Sequence, residues 1–150
     1  MIFDTHCHYN DESFDQDREE LLHSLPGRGV DRICEIGYTQ ESSEEDVRLA
    51  KAYADSPLSV HSVVGIHPEH AAVWSPEATA KIEALSKEKE VVAIGEIGLD
   101  YFRLDKRSKV QKERDEEKKR RGEEVQECFN PEPTVQKSCF IEMLDLAKRR

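Results

Sequence analysis

Residues 91–101 read VVAIGEIGLDY. The run 91–99 is the most apolar strand-like stretch of the chain. Val92, Ile94 and Glu96 share parity, so a strand here carries the Glu96 carboxylate on the same face at its C-terminal end. Gly95 and Gly98 flank that carboxylate and allow close backbone approach. A Glu so placed suits a metal bridge or a general base, and equally the charge partner of a nearby arginine. Three shorter strand-like runs precede it, at 2–6 (IFDTH), 30–37 (VDRICEIG) and 58–67 (LSVHSVVGIH).

Helical patterns lie between these runs. Phe14, Leu21, Leu22 and Leu25 share one helical face, which Pro26-Gly27 ends or kinks. Ser43 is placed to cap a second helix, with Glu44, Glu45 and Asp46 in a first turn whose dipole favours acids and Val47, Ala50 and Ala54 on its apolar face. Ser75-Pro76 starts a third that carries Ala78, Ile82 and Leu85. A last helix carries Val135, Cys139, Phe140, Met143, Leu144 and Ala147 and closes on Lys148-Arg149-Arg150. Strand and helix therefore alternate, and that order predicts parallel strands with helical crossovers.

With 150 residues and 37% apolar content the chain suffices for one domain with a modest core. A formal charge of −10 excludes a protein that coats nucleic acid non-specifically, so a polyanionic substrate calls for metal ions or a local basic patch. No apolar run approaches a membrane span, and Asp4, His6 and His8 interrupt any N-terminal signal pattern. Cys7, Cys34, Cys128 and Cys139 show no CxxC spacing and read as reduced thiols of a cytoplasmic protein. Nothing calls for an obligate protein partner.

Asp4-Thr5-His6-Cys7-His8 ends the first strand. Strand alternation points His6 and His8 the same way and Cys7 away, so the two imidazoles can chelate one divalent ion or simply stand as two surface histidines. His67, in Gly65-Ile66-His67-Pro68, again ends a strand, where Pro68 stops the ladder. His61 sits further back, in a packing position, and His23 reads as a helix-surface residue; the pattern leaves His70 open. Three of four strands thus carry metal-competent groups at their C-terminal ends, where β/α folds bind ligands.

Taken together, DTHCH (4–8), GIHP (65–68) and GEIGLDY (95–101), followed by VQKSCFIEMLDLA (135–147), resemble the TatD family of metal-dependent hydrolases, within the amidohydrolase-like TIM barrels. The resemblance implies an α/β fold of the (β/α)8 class, here a half barrel of about four parallel βα units. It implies that His6, His8 and Glu96 are metal ligands, with Glu96 bridging two divalent ions (magnesium, manganese or zinc) and acting in catalysis. It implies that His67 contacts the substrate phosphate, and that the substrate is DNA or another phosphodiester cut in an exonuclease manner. A full barrel of this class takes about 250 residues. The further histidines of strands five and six and the aspartate after strand eight have no counterpart, so residues 1–150 read as the N-terminal part of a single domain, with activity impaired in this chain alone.

Residues 103–133 depart from the pattern. They are poor in apolar side chains, and residues 103–121 hold 10 basic and 5 acidic groups, with acid-to-base pairs four apart. They are expected to form a helical or mobile, solvent-exposed insertion in a βα loop, or alternatively a phosphate-contacting arm. A four-strand parallel sheet with its helices on one face leaves the other face and both edges open. Rival functions are a metal-dependent hydrolase of an amide, ester or lactone, since specificity lies in βα loops, and a non-catalytic fragment. A PHP-type phosphoesterase also begins with an HxH strand, but GEIGLDY speaks against it.

Overall fold

The computed structural model describes residues 1–125 and 129–150. Cys128 lies outside them, while Cys7, Cys34 and Cys139 are free and buried. Four strands, β1 (Ile2–Cys7), β2 (Val30–Ile36), β3 (Ser59–Val64) and β4 (Val91–Ile94), form one parallel sheet in the order β1-β2-β3-β4. Helices α1 (Arg18–Ser24), α2 (Gln40–Ala52) and α3 (Pro76–Leu85) fill the crossovers, and α4 (Lys109–Arg120) and α5 (Pro133–Arg149) follow β4.

Strand alternation sorts the sheet into two faces. Ile33, Val60 and Val64 turn toward the helices and join two apolar clusters there. One gathers Leu22, Leu25, Ala50, Tyr53 and Leu58; the other Val47, Ile66, Ala71, Ile82, Cys139, Met143 and Leu146. The opposite face carries a small cluster of Cys34, Ile36 and Val63, with Phe3 and Ala93 exposed on its flanks. The His61 ring lies on this face, 6.1 Å from that of Phe3.

Several local expectations are corrected by competing interactions. The cap of α2 is Thr39, whose side chain accepts from Ser42 N, and not Ser43. Ser43 is fully buried instead, as is Asp46, placed in sequence in the first turn. The reason is the approach of α2 to β3: a Cβ on Gly37 would stand 2.3 Å from Ser43 Oγ, so only glycine lets the Ser43 hydroxyl in. Phe14 belongs to a separate 3-10 turn, Glu12–Phe14, rather than to α1. The Pro26-Gly27 break falls where expected, after α1, in a 3-10 turn Pro26–Arg28.

Ala54 lies past the end of α2 and is exposed. On α5 the buried row is Gln136, Cys139, Met143 and Leu146, a 3-4-3 spacing; Val135, Leu144 and Ala147 fall on the exposed side. The fourth strand stops at Ile94, five residues short of the expected end, because Gly95 and Glu96 turn away to bond across the sheet.

No residue of α4 is buried. Its base is held by charge: Arg107 binds Asp105 at 2.9 Å and Asp115 at 2.8 Å, and its guanidinium lies 4.2 Å above the Phe129 ring. These contacts hold the Asp105 carboxyl well below the usual carboxylate range. The return strand of chain is tied by a bridge between Leu104 and Asn130. Among the described residues no helix is long and apolar enough to cross a membrane.

Candidate metal centre

The C-terminal ends of the strands are joined by main-chain bonds before any side chain is considered. Gly37 N donates to Val63 O, His67 N to Tyr38 O, Gly95 N to Val64 O and Glu96 N to Gly37 O, all at 2.8–2.9 Å. The last of these draws Glu96 from the β4 end to the β2 end. In a flat parallel sheet β1 and β4 would stand roughly 14 Å apart at about 4.8 Å per strand. Here His6 Nε2 lies 3.8 Å from Glu96 Oε2, so the curl of the sheet has brought the first and fourth strands to one point.

His6 and His8 present their Nε2 atoms 3.2 Å apart. Together with a Glu96 oxygen these donors all lie within 4.8 Å of one another. Two nitrogens bound to one tetrahedral ion at 2.0–2.1 Å sit about 3.3 Å apart, so the imidazole pair is already spaced for shared coordination. The donor set, two neutral imidazoles and a carboxylate, suits zinc or another first-row divalent ion. Parity alone located the histidines; Glu96 reaches the point through its backbone bond and not as a continuation of β4.

His67 Nε2 lies 3.9 Å from Glu96 Oε1. Its other nitrogen, Nδ1, accepts a hydrogen bond from Glu69 N at 3.2 Å. That bond fixes the tautomer, leaving the proton on Nε2, where it faces the cleft as a donor. The structure thus gathers all four residues singled out in the sequence: His8, Glu96 and His67 line one cleft, and His6 meets His8 and Glu96 at its edge.

The cleft holds residues that sequence reasoning missed. It measures about 510 Å³ and is lined by Phe14, Tyr38, His70, Asp11 and Glu69 beside His8, His67 and Glu96. Tyr38 follows β2 and burial pushes its hydroxyl pKa up, with Asp11 and Asp46 adding to the shift. The Ser13 side chain, and then Ser13 N at 2.9 Å, donate to Asp11 and lower its carboxyl pKa. Arg103 reaches Glu69 at 3.9 Å, so the charged segment begins at the cleft rim.

Below the centre, Cys7 turns inward and donates to Glu35 Oε1 at 3.3 Å, while Asn10 N donates to Oε2 at 3.4 Å. Burial raises the Glu35 pKa against these bonds. The same burial, with Glu35 beside it, pushes the Cys7 thiol far up. The thiol is thus turned into the interior, where it also donates to Cys34 O at 3.2 Å.

A family model described as TatD related DNase matches residues 3–150. The chain belongs to the TatD family. It is 37% identical over 102 residues to the 3'-5' ssDNA/RNA exonuclease TatD of Cronobacter turicensis, covering 68% of this chain and 37% of that protein. It is also 37% identical over 114 residues to the uncharacterized metal-dependent hydrolase YabD of Bacillus subtilis, covering 75% of this chain and 43% of that protein. Among solved structures, a TatD homologue from Escherichia coli K12 superposes with a TM-score of 0.65 at 23% identity, over 99% of this chain and 47% of its own. The sheet is therefore part of a TatD-type TIM barrel, and the chain spans less than half the length of these TatD relatives. Its curl and its one-sided helices follow from that architecture.

Proposed function

We propose that residues 1–150 carry the N-terminal, metal-holding part of a metal-dependent phosphodiesterase that removes nucleotides from the end of a nucleic acid strand, in a cytoplasmic setting. The observation that carries this reading is the convergence of His6, His8 and Glu96 donor atoms within 4.8 Å. The names of the relatives, an exonuclease and a metal-dependent hydrolase, agree with it.

His6 and His8 would hold one divalent ion through Nε2, and Glu96 would share it and a second. Ions at this place supply Lewis-acid activation of water and neutralise phosphate charge, which reconciles a chain of −10 with a polyanionic substrate. When only one Glu96 oxygen is engaged by an ion, the other would take the proton that the attacking water loses, and His67 Nε2–H would donate to a phosphate oxygen. Residues 1–150 act as part of a single domain, with 103–133 as an insertion whose first arginine stands at the cleft.

Titration of the chain with Mn²⁺ or Zn²⁺ tests the ligand set. One ion is expected to bind, with affinity lost in His6→Ala, His8→Ala and Glu96→Gln. A 3'-labelled single-stranded oligonucleotide tests the reaction. The chain alone, with most donors for a second ion missing, is expected to cut it ~10²–10³-fold more slowly than a full-length relative, the size of one lost transition-state stabiliser. Metal binding unchanged in all three variants would refute the assignment, and hydrolysis of simple esters but not of phosphodiesters would move the function to acyl substrates.

A further inference from the structure

Beside the His6–His8–Glu96 group stands a set of rings that the fold does not consume. Tyr38 and His70 pair at 5.4 Å between centroids with an interplanar angle of 34°. The His8 ring meets Tyr38 edge-on at 5.8 Å, and the His67 ring meets His70 at 6.4 Å. Phe14 lines the same cleft. None of Phe14, Tyr38 and His70 belongs to the apolar clusters of the described residues. The Phe14 ring packs on Tyr9 at 5.3 Å, but hydrophobic packing does not account for Tyr38 and His70, from two different strand ends, meeting here.

The backbone beneath the two rings is anchored. Tyr38 N donates to Ser42 Oγ at 2.9 Å and Tyr38 O accepts from His67 N at 2.9 Å, so the residue is pinned on both sides. His70 sits in the 3-10 turn Pro68–Val73, where its N–H donates to His67 O at 2.9 Å. His8 joins the two parts of the site: its Nε2 belongs to the metal-competent pair and its ring edge touches Tyr38. A ligand whose phosphate lies at His6, His8 and Glu96 has its next planar group beside Tyr38 and His70.

From this placement we infer that Tyr38 and His70, with Phe14 at the lip, form a nucleobase-stacking subsite for the nucleotide whose phosphate the metal-competent group engages. The inference rests on the function proposed above and adds the substrate's base to it. Rings stack on any base, so the subsite takes purines and pyrimidines alike and favours a single-stranded, unpaired end over a duplex, whose bases are already stacked. Asp11 at the wall disfavours a phosphate beside the rings, while Glu69 is paired with Arg103.

The test uses the full chain with Mg²⁺ and two probes, 2-aminopurine deoxyribonucleoside 5'-monophosphate and its base-free counterpart, 2-deoxyribose 5-phosphate. Stacking quenches the aminopurine fluorescence, and calorimetry gives both affinities. The nucleotide is expected to bind with quenching and roughly 5- to 100-fold more tightly than the sugar phosphate, the range that base–aromatic stacking supplies. Tyr38→Leu and His70→Ala should remove that advantage and the quenching without changing the affinity for the sugar phosphate. Tyr38→Phe and His70→Phe should keep both. Equal binding of the two probes, or a loss in Tyr38→Leu that falls on both alike, would overturn the subsite while leaving the phosphodiesterase reading in place. Failure of both probes to bind in a chain that still binds Mn²⁺ would take down the phosphodiesterase reading and the subsite with it.

Discussion

Ser43 Oγ accepts the Gly65 N–H at 3.2 Å and donates back to the Gly65 carbonyl at 3.4 Å. A side chain from α2 thereby closes the end of β3, directly beneath the strand ends that carry His67 and Glu96.

The space left at Gly65 makes the first prediction. A Cβ there would stand 2.5 Å from Gly95 O, which is backbone and cannot rotate aside. Gly65→Ala is expected to push the β4 end outward, costing about 1–3 kcal/mol of stability. Because Gly95 precedes Glu96, metal affinity should fall with it. Denaturant midpoints and a Mn²⁺ titration check both; an unchanged midpoint would refute the close packing.

Asp46 supplies the second. Its carboxyl is fully buried on α2, neither oxygen has a hydrogen-bond partner, and burial, with Glu35 and Glu45 adding, raises its pKa from 3.8 to about 8. The folded chain thus keeps a proton that the unfolded chain loses near pH 4. The Asp46 contribution is fully present below that pH and is lost as pH rises through about 8. Unfolding free energy should therefore decline between these limits, and Asp46→Asn should flatten the decline and exceed the parent in stability at pH 8. Parallel profiles for parent and variant would contradict this.

The third concerns Gln136, buried on α5. Its Oε1 accepts from Asp100 N at 2.8 Å, and its Nε2 donates to Asp100 O and Pro131 O, each at 2.7 Å. One side chain thus clamps both ends of the charged segment. Gln136→Ala leaves these backbone groups unpaired, an expected loss of about 1–3 kcal/mol. Limited proteolysis should also cut faster between residues 100 and 131, and an unaltered cleavage rate would show that the clamp is dispensable.

For α4 the expectation is fast amide exchange. With no buried side chain, the helix relies on its Ser108–Gln111 capping box and on surface charge pairs worth about 0.2–0.5 kcal/mol each. Its amides should exchange well before those of α5, whose Met143 and Leu146 are fully buried. Protection equal to that of α5 would mean that α4 docks on the core.

Strand order, sheet polarity and the pairing of His6 with His8 were legible in the sequence, because β/α alternation and two-residue parity are strong local signals. What escaped was set by tertiary approach. Asp46 looks like any first-turn acid until α2 lies against β2 and β3. Gln136 occupies an apolar row because two of its three bonds are to Asp100, 36 residues away. Thr39-x-x-Ser42 was a readable capping box that Ser43 obscured. Tyr38 and His70 carry no periodicity at all, since loop residues are placed by the strands they follow.

The four main-chain bonds that tie the strand ends together use only peptide groups. Residues 38, 67 and 96 are held in position by atoms that every non-proline amino acid possesses. Substitution at these places can change which chemistry is presented while leaving where it is presented untouched. The rim of this sheet therefore behaves as a socket with interchangeable fittings, open to new reactions without a new fold.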